Sequence, residues 1–230
     1  MHLSTNRKRI YLYLLIFFSL TTAININYDE KFNKIFKLKN INIVGIGVEE
    51  QKKLQEELSI FKNKNIFLIK TSQVVKILDN YNEFENFKIQ KILPSKLKLE
   101  IKKTEFSAKT IINGRKYYIG ENKKFIETKD FDENSELPIV FGKFPIESFF
   151  KLQKNLIDNN FDTKTIKKYF YFKSDRWDLI TKNNITIKLP INDQLMSLKH
   201  YKFLINGNKV KINSILDFRI PNQIIITSDK

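Results

Sequence analysis

The chain has 230 residues, 42% of them apolar and 29% charged, enough for one large domain or two small ones with cores of their own. It holds no cysteine and only two histidines, His2 and His200, which excludes a disulfide framework, thiolate zinc sites and thiol catalysis and leaves little for metal or acid–base chemistry. The formal net charge is +16, but Arg7, Arg9, Arg115, Arg176 and Arg219 are the only arginines among 41 basic residues, so a solvated lysine surface is expected and not a nucleic-acid groove, where arginine makes the bidentate contacts.

The N-terminus reads NRKRIYLYLLIFFSLTTAI. Arg7, Lys8 and Arg9 precede an apolar run over 10–24, and Asp29 and Glu30 follow it. Basic residues before the run and acidic ones after it predict a cytoplasmic tail at 1–9 and a transmembrane helix at 10–26. The run is short: its 15 residues give about 22 Å of helix against ~30 Å of hydrocarbon, a mismatch that Asn25, Ile26 and local bilayer thinning reduce. The competing reading is a cleavable signal peptide with Thr21 and Ala23 at the small positions before the cut. Both readings export the rest of the chain.

A first folded unit is expected over 36–105. FKLKNINIVG alternates Phe36, Leu38, Ile41 and Ile43 and reads as a strand ending at Gly45. Leu54, Leu58 and Phe61 fall at i, i+4 and i+7, one face of a helix. Thr71 opens a second helix carrying Val74, Val75 and Leu78. Pro94 and Ser95 then split FKIQKILPSKLKLEIKK into two strands, and in the second Leu97, Leu99 and Ile101 face away from Lys96, Lys98, Glu100 and Lys102. The order strand, helix, helix, strand, strand makes a small α+β layer with one wet sheet face.

The second unit, 106–230, is rich in strands. KTIING and KYYIGE form a hairpin across Asn113-Gly114. IESFFKLQKNLID is an amphipathic helix with Phe149, Leu152, Leu156 and Ile157 on one face. RWDLIT and ITIKLP bracket an Asn-Asn turn, and LMSLKHYKFLI sets Leu195, Leu198 and Tyr201 at helical spacing. A mixed, largely antiparallel sheet with two helices follows, so the whole chain is of the α+β class.

Few residues suggest chemistry. His200 falls on ordinary helix surface. The pairs Glu49-Glu50 and Glu56-Glu57 lie among lysines as solvated i,i+4 partners. Trp177 is expected in the core in preference to a recognition platform. Asp217 and Arg219 share one strand face and read as an ion pair or turn anchor. The end of the chain, DFRIPNQIIITSDK, is different. Ile224, Ile225 and Ile226 make it apolar on both faces, Pro221 comes only at its start, and lysine is absent from NQIIITS. Few residues follow Ile226 to cover it. Such a run, over 221–227, reads as an unguarded edge strand that pairs with a partner, one isoleucine face packing on the domain and the other on the incoming chain. The alternative is an internal strand with all three isoleucines in the core.

Taken together, INIVG, NKNIFLI and ILPSKLKLEIKK resemble a POTRA domain. An anchor-like segment followed at once by a single POTRA-like unit is similar to the FtsQ/DivIB family of bacterial division proteins. The resemblance extends through Leu137, Pro138 and Gly142, through Trp177, Leu179, Leu189 and Pro190, and through Asp217, Arg219 and Pro221. Gly120 and Lys123 stand where the family often has an Asp-x-x-Gly turn, and Lys103 and Phe106 where it has Glu and Pro, so altered hairpin and junction geometry is expected. The resemblance implies a non-enzymatic scaffold of the divisome, without cofactor or metal. It would sit in the inner membrane as a single-pass protein at the septum, its bulk periplasmic. FtsB- and FtsL-type small coiled-coil membrane proteins are the implied partners, bound through Ile220, Asn222, Gln223, Ile224, Ile225 and Ile226. The alternative is another exported POTRA-containing accessory of secretion or outer-membrane barrel assembly.

Overall fold

The computed structural model describes residues 7–22, 34–132, 134–192, 194–207, 210–221 and 223–228. Its first element is α1 (Arg7–Thr22), whose 16 residues give about 24 Å of helix. Among the described residues no helix is long and apolar enough to cross a membrane. This corrects the expected transmembrane helix at 10–26: the described helix, Arg7–Thr22, includes the basic cluster and falls short of a span, and residues 23–26 lie outside the described ones. The architecture that remains is a mixed, strand-rich α/β fold divided into two compact units, Met1–Leu78 with Phe87–Ile101, and Asp79–Asn86 with Lys102–Lys230. The short stretch Asp79–Asn86 thus groups with the later unit, although it lies inside the 36–105 span read from the sequence.

The elements of the first sheet run β1 (Asn40–Val44), α2 (Val48–Leu58), α3 (Thr71–Leu78), β2 (Phe84–Ile92) and β3 (Lys96–Lys103). The strand order is β1-β3-β2, with β1 parallel to β3. Register sets Ile41 beside Leu97 and Ile43 beside Leu99, so the alternation in both strands sends four apolar side chains to one buried face. Leu54 and Leu58 of α2, Phe61 just beyond it, and Val74 and Leu78 of α3 are buried as well. Glu50 is more than a solvated partner: its carboxylate accepts a hydrogen bond from the Gly47 N–H, 3.0 Å away, closing the N-terminus of α2. Gly45 ends β1 at φ +97, where a Cβ would lie 1.9 Å from the Ile101 carbonyl oxygen, so only glycine fits.

Among the described residues the second sheet has nine strands in the order β12-β11-β10-β9-β8-β7-β4-β5-β6. These are β4 (Phe106–Ile112), β5 (Arg115–Gly120), β6 (Phe125–Thr128), β7 (Ile139–Phe141), β8 (Ile166–Tyr171), β9 (Trp177–Thr181), β10 (Thr186–Lys188), β11 (Ser214–Asp217) and β12 (Ile225–Ser228). Pairing is parallel between β4 and β7, β7 and β8, and β10 and β11, and antiparallel elsewhere. The registers align Val140, Tyr169, Leu179, Ile187 and Leu216 in one row across the sheet. All five are buried in a single cluster with Phe149, Leu152 and Leu156 of α4 (Ile146–Asp158) and Leu198 of α5 (Gln194–Asn206), so the two helices cover this face. Two sequence assignments fail here. Ile157 and Leu195 are exposed, because each sits at the margin of its helix's apolar stripe, beyond the reach of the sheet. Lys123 itself adopts φ +61, the conformation a glycine would take, so β5 and β6 pair without a break.

Candidate binding site: the β12 edge

Three features of the local sequence place the last strand. β11 ends at Asp217, and Phe218 is buried, which pins the chain as it leaves the sheet. Asp217 then holds the connection. It accepts from the Arg219 backbone N–H at 3.0 Å and from Arg219 Nε at 2.7 and 2.9 Å, and Arg219 Nη2 donates to its second oxygen. The Arg219 hydrogen bonds keep the Asp217 carboxyl below its ordinary value, against an opposing effect of burial. The pair is therefore the turn anchor that one sequence reading described. Finally the Gln223 N–H donates to the Ile220 carbonyl at 3.2 Å, a tight turn around Pro221 that returns the chain as β12.

β12 pairs antiparallel with β11 through Ser214↔Ser228, Ile215↔Thr227, Leu216↔Ile226 and Asp217↔Ile225. It ends the strand order, so its far side has no neighbour among the described residues. The direction of its backbone groups follows from the next ladder inward. The Phe218 N–H donates to the Lys188 carbonyl of β10 at 3.0 Å. Successive residues of a strand point their polar groups to alternate sides, so Leu216 and Phe218 address β10 while Ile215 and Asp217 address β12. Their partners Ile225 and Thr227 thus point inward. Ile226 and Ser228 direct N–H and C=O to the open side.

The side chains are equally free. Ile224, Ile225 and Ile226 are 37%, 45% and 44% exposed, and Ile220 and Gln223 are exposed too. This corrects the expectation that one isoleucine face packs on the domain. Ile226 lies on the same sheet face as buried Leu216, yet the helix cover ends there. The strand is also shorter than 221–227, since it begins only at Ile225. Asn222 lies outside the described residues.

On the opposite sheet face the registers align Phe170, Asp178, Lys188, Asp217 and Ile225. Asp178 escaped the sequence reading. It is only 7% exposed, 3.2 Å from Arg176 Nε, and burial raises its carboxyl above the ordinary value despite Arg176, Arg219 and Lys188. Its signal was the Arg-Trp-Asp alternation, which sends Trp177 to one face and both charges to the other. Trp177 is buried and donates its indole N–H to Ser148 Oγ at 3.0 Å, which closes it to any partner. His200 is exposed on α5, and His2 lies outside the described residues. Among the described residues no group of three or more His, Asp or Glu side chains could hold a metal ion.

No family model matches the sequence, and no curated protein matches it. Among solved structures, the chain is similar to the major extracytoplasmic domain of the bacterial cell division protein DivIB from Geobacillus stearothermophilus, with 15% identity and a TM-score of 0.32. The match covers 47% of this chain and 98% of that one.

Proposed function

We propose that this chain is a non-enzymatic scaffold of the bacterial division complex, working on the outer side of the inner membrane at the septum and taking up a partner strand along β12. The observation that carries the reading is the unguarded edge. Ile226 and Ser228 offer outward N–H and C=O groups, isoleucines are exposed on both faces, and no lysine or proline interrupts 223–228. Soluble proteins usually blunt such an edge with charge or proline. In strand addition the backbone ladder supplies affinity, and alternate side chains supply specificity. The motifs shared with the FtsQ/DivIB family point to small coiled-coil membrane proteins of the FtsB and FtsL type as the source of the incoming strand.

The test is co-purification from detergent-solubilised membranes with the tagged full chain. Ile226→Pro removes an outward N–H and leaves the β11 ladder intact. It should abolish recovery of small single-pass coiled-coil proteins while the melting temperature moves by only a few degrees. Undiminished recovery would sink the edge-pairing mechanism. Recovery of barrel-assembly components by the unaltered chain would sink the division reading.

A further inference from the structure

The first unit carries a second unguarded surface, far in sequence from β12 and independent of the reading above. Three stretches, 34–48, 58–78 and 87–99, contain three, four and four lysines and not one aspartate or glutamate. In a chain with 25 acidic residues that is an unusual gap, and the fold brings the three stretches together. The Leu38 N–H donates to the Lys64 carbonyl at 2.9 Å, the Asn63 N–H to the Leu38 carbonyl at 3.0 Å, and the Ile66 N–H to the Phe36 carbonyl at 2.8 Å. On the other side the Lys39 N–H donates to the Ser95 carbonyl at 2.9 Å. Residues 36–39 are thus held between the 62–66 loop and the β2–β3 turn, at one end of the sheet.

Large apolar side chains stand out of these segments. Phe67 and Leu68 are 52% and 77% exposed, and Ile35, Ile60, Ile92 and Leu93 are exposed as well. Isolated exposed apolar residues are ordinary, but several of them on lysine-rich segments are the pattern of a surface that enters the headgroup region of a bilayer. Lysines hold anionic headgroups while the apolar tips sit at the acyl boundary. The same unit begins with α1, where residues 10–18 are exposed and apolar on every side and need apolar surroundings. Eleven residues separate α1 from Lys34, a reach of at most about 40 Å. From this geometry we infer that the Phe67-Leu68 tip docks on an anionic lipid surface.

Because the chain has no cysteine, one residue can be labelled in the full-length protein. Leu68→Cys carrying an environment-sensitive nitrobenzoxadiazole dye reports the tip itself, whatever α1 does. Vesicles of equal parts phosphatidylglycerol and phosphatidylcholine should shift its emission to the blue and raise it severalfold. High salt should reverse the change, and Lys62→Glu with Lys64→Glu, both on exposed positions, should remove most of it with an unaltered melt. The same dye at Lys173→Cys, in the other unit, should not respond. No shift at position 68 while the chain sediments with the vesicles would overturn the inference. So would an equal shift with pure phosphatidylcholine, or the same shift with soluble polyphosphate, which would make the surface a polyanion site.

Discussion

Strands β9 and β12 belong to one sheet and have similar local sequences, WDLIT and IITS, yet their fates are opposite. In β9 every residue but Ile180 is buried, Asp178 included. In β12 all four residues are exposed. The difference is position. β9 has a paired strand on each side and α4 over the face that carries Leu179, while on the opposite face Asp178 is closed in by its paired strands and by Arg176. Among the described residues β12 has a neighbour on one side only, and it lies past the end of the helix cover. Apolar character alone therefore says that a strand is to be covered, and not whether its own chain or another molecule does the covering.

The comparison can be broken at its buried side first. Leu179→Ala opens a cavity among Tyr169, Ile187 and the α4 side chains and should cost about 2–5 kcal/mol in a denaturant melt. A loss as small as that of a surface change would show that β9 is not the centre of the core. Ile225→Pro comes next. It removes an inward N–H from the Asp217 pairing and should cost about 1 kcal/mol or more, whereas Ile226→Pro, one residue on, should cost clearly less. The reverse order of the two melts would mean that the ladder phase deduced from Phe218 is wrong.

The Asp217–Arg219 anchor predicts a pH dependence. The Asp217 carboxyl lies below its ordinary value of 3.8 in the folded chain, so its ionised form is favoured by folding. That stability is fully present above the unfolded value and is lost as pH falls through the lower folded value. Arg219→Ala should therefore lower the melting temperature at neutral pH, and the gap from the unaltered protein should close in strong acid. A gap that does not change with pH would assign the loss to packing of the arginine stem. The smallest effect expected on stability is that of Ile226→Lys, within about 0.5 kcal/mol, since the side chain is already in water. The same change places a gatekeeping charge on the edge and should abolish strand capture, so normal co-purification of the partner would end the comparison between the two strands as a functional one.

Much was readable locally. The i, i+4, i+7 spacing of Leu54, Leu58 and Phe61 and the alternation of Leu97, Leu99 and Ile101 mark residues that are all buried. Asp217 and Arg219 at i, i+2 marked the turn anchor, and the isoleucine run without lysine suggested an edge that the strand order alone settles. Periodicity works at such positions because side-chain direction is fixed by backbone geometry within a few residues. It was blind where the neighbour comes from elsewhere in the chain. Ile157 and Leu195 look like the buried residues beside them, and Asp178 looks like a surface charge. The apolar run near the N-terminus matched a membrane span in composition, but among the described residues no helix is long and apolar enough to cross a membrane. Sequence by itself determined the type of most elements, the phase of their apolar faces and the absence of thiol chemistry. Only the tertiary structure decided which strand stands at the edge, which way its N–H groups point and which carboxylate-free segments share one end of the first unit. Strand order and burial are set by contacts between residues tens of positions apart, and no local pattern carries them.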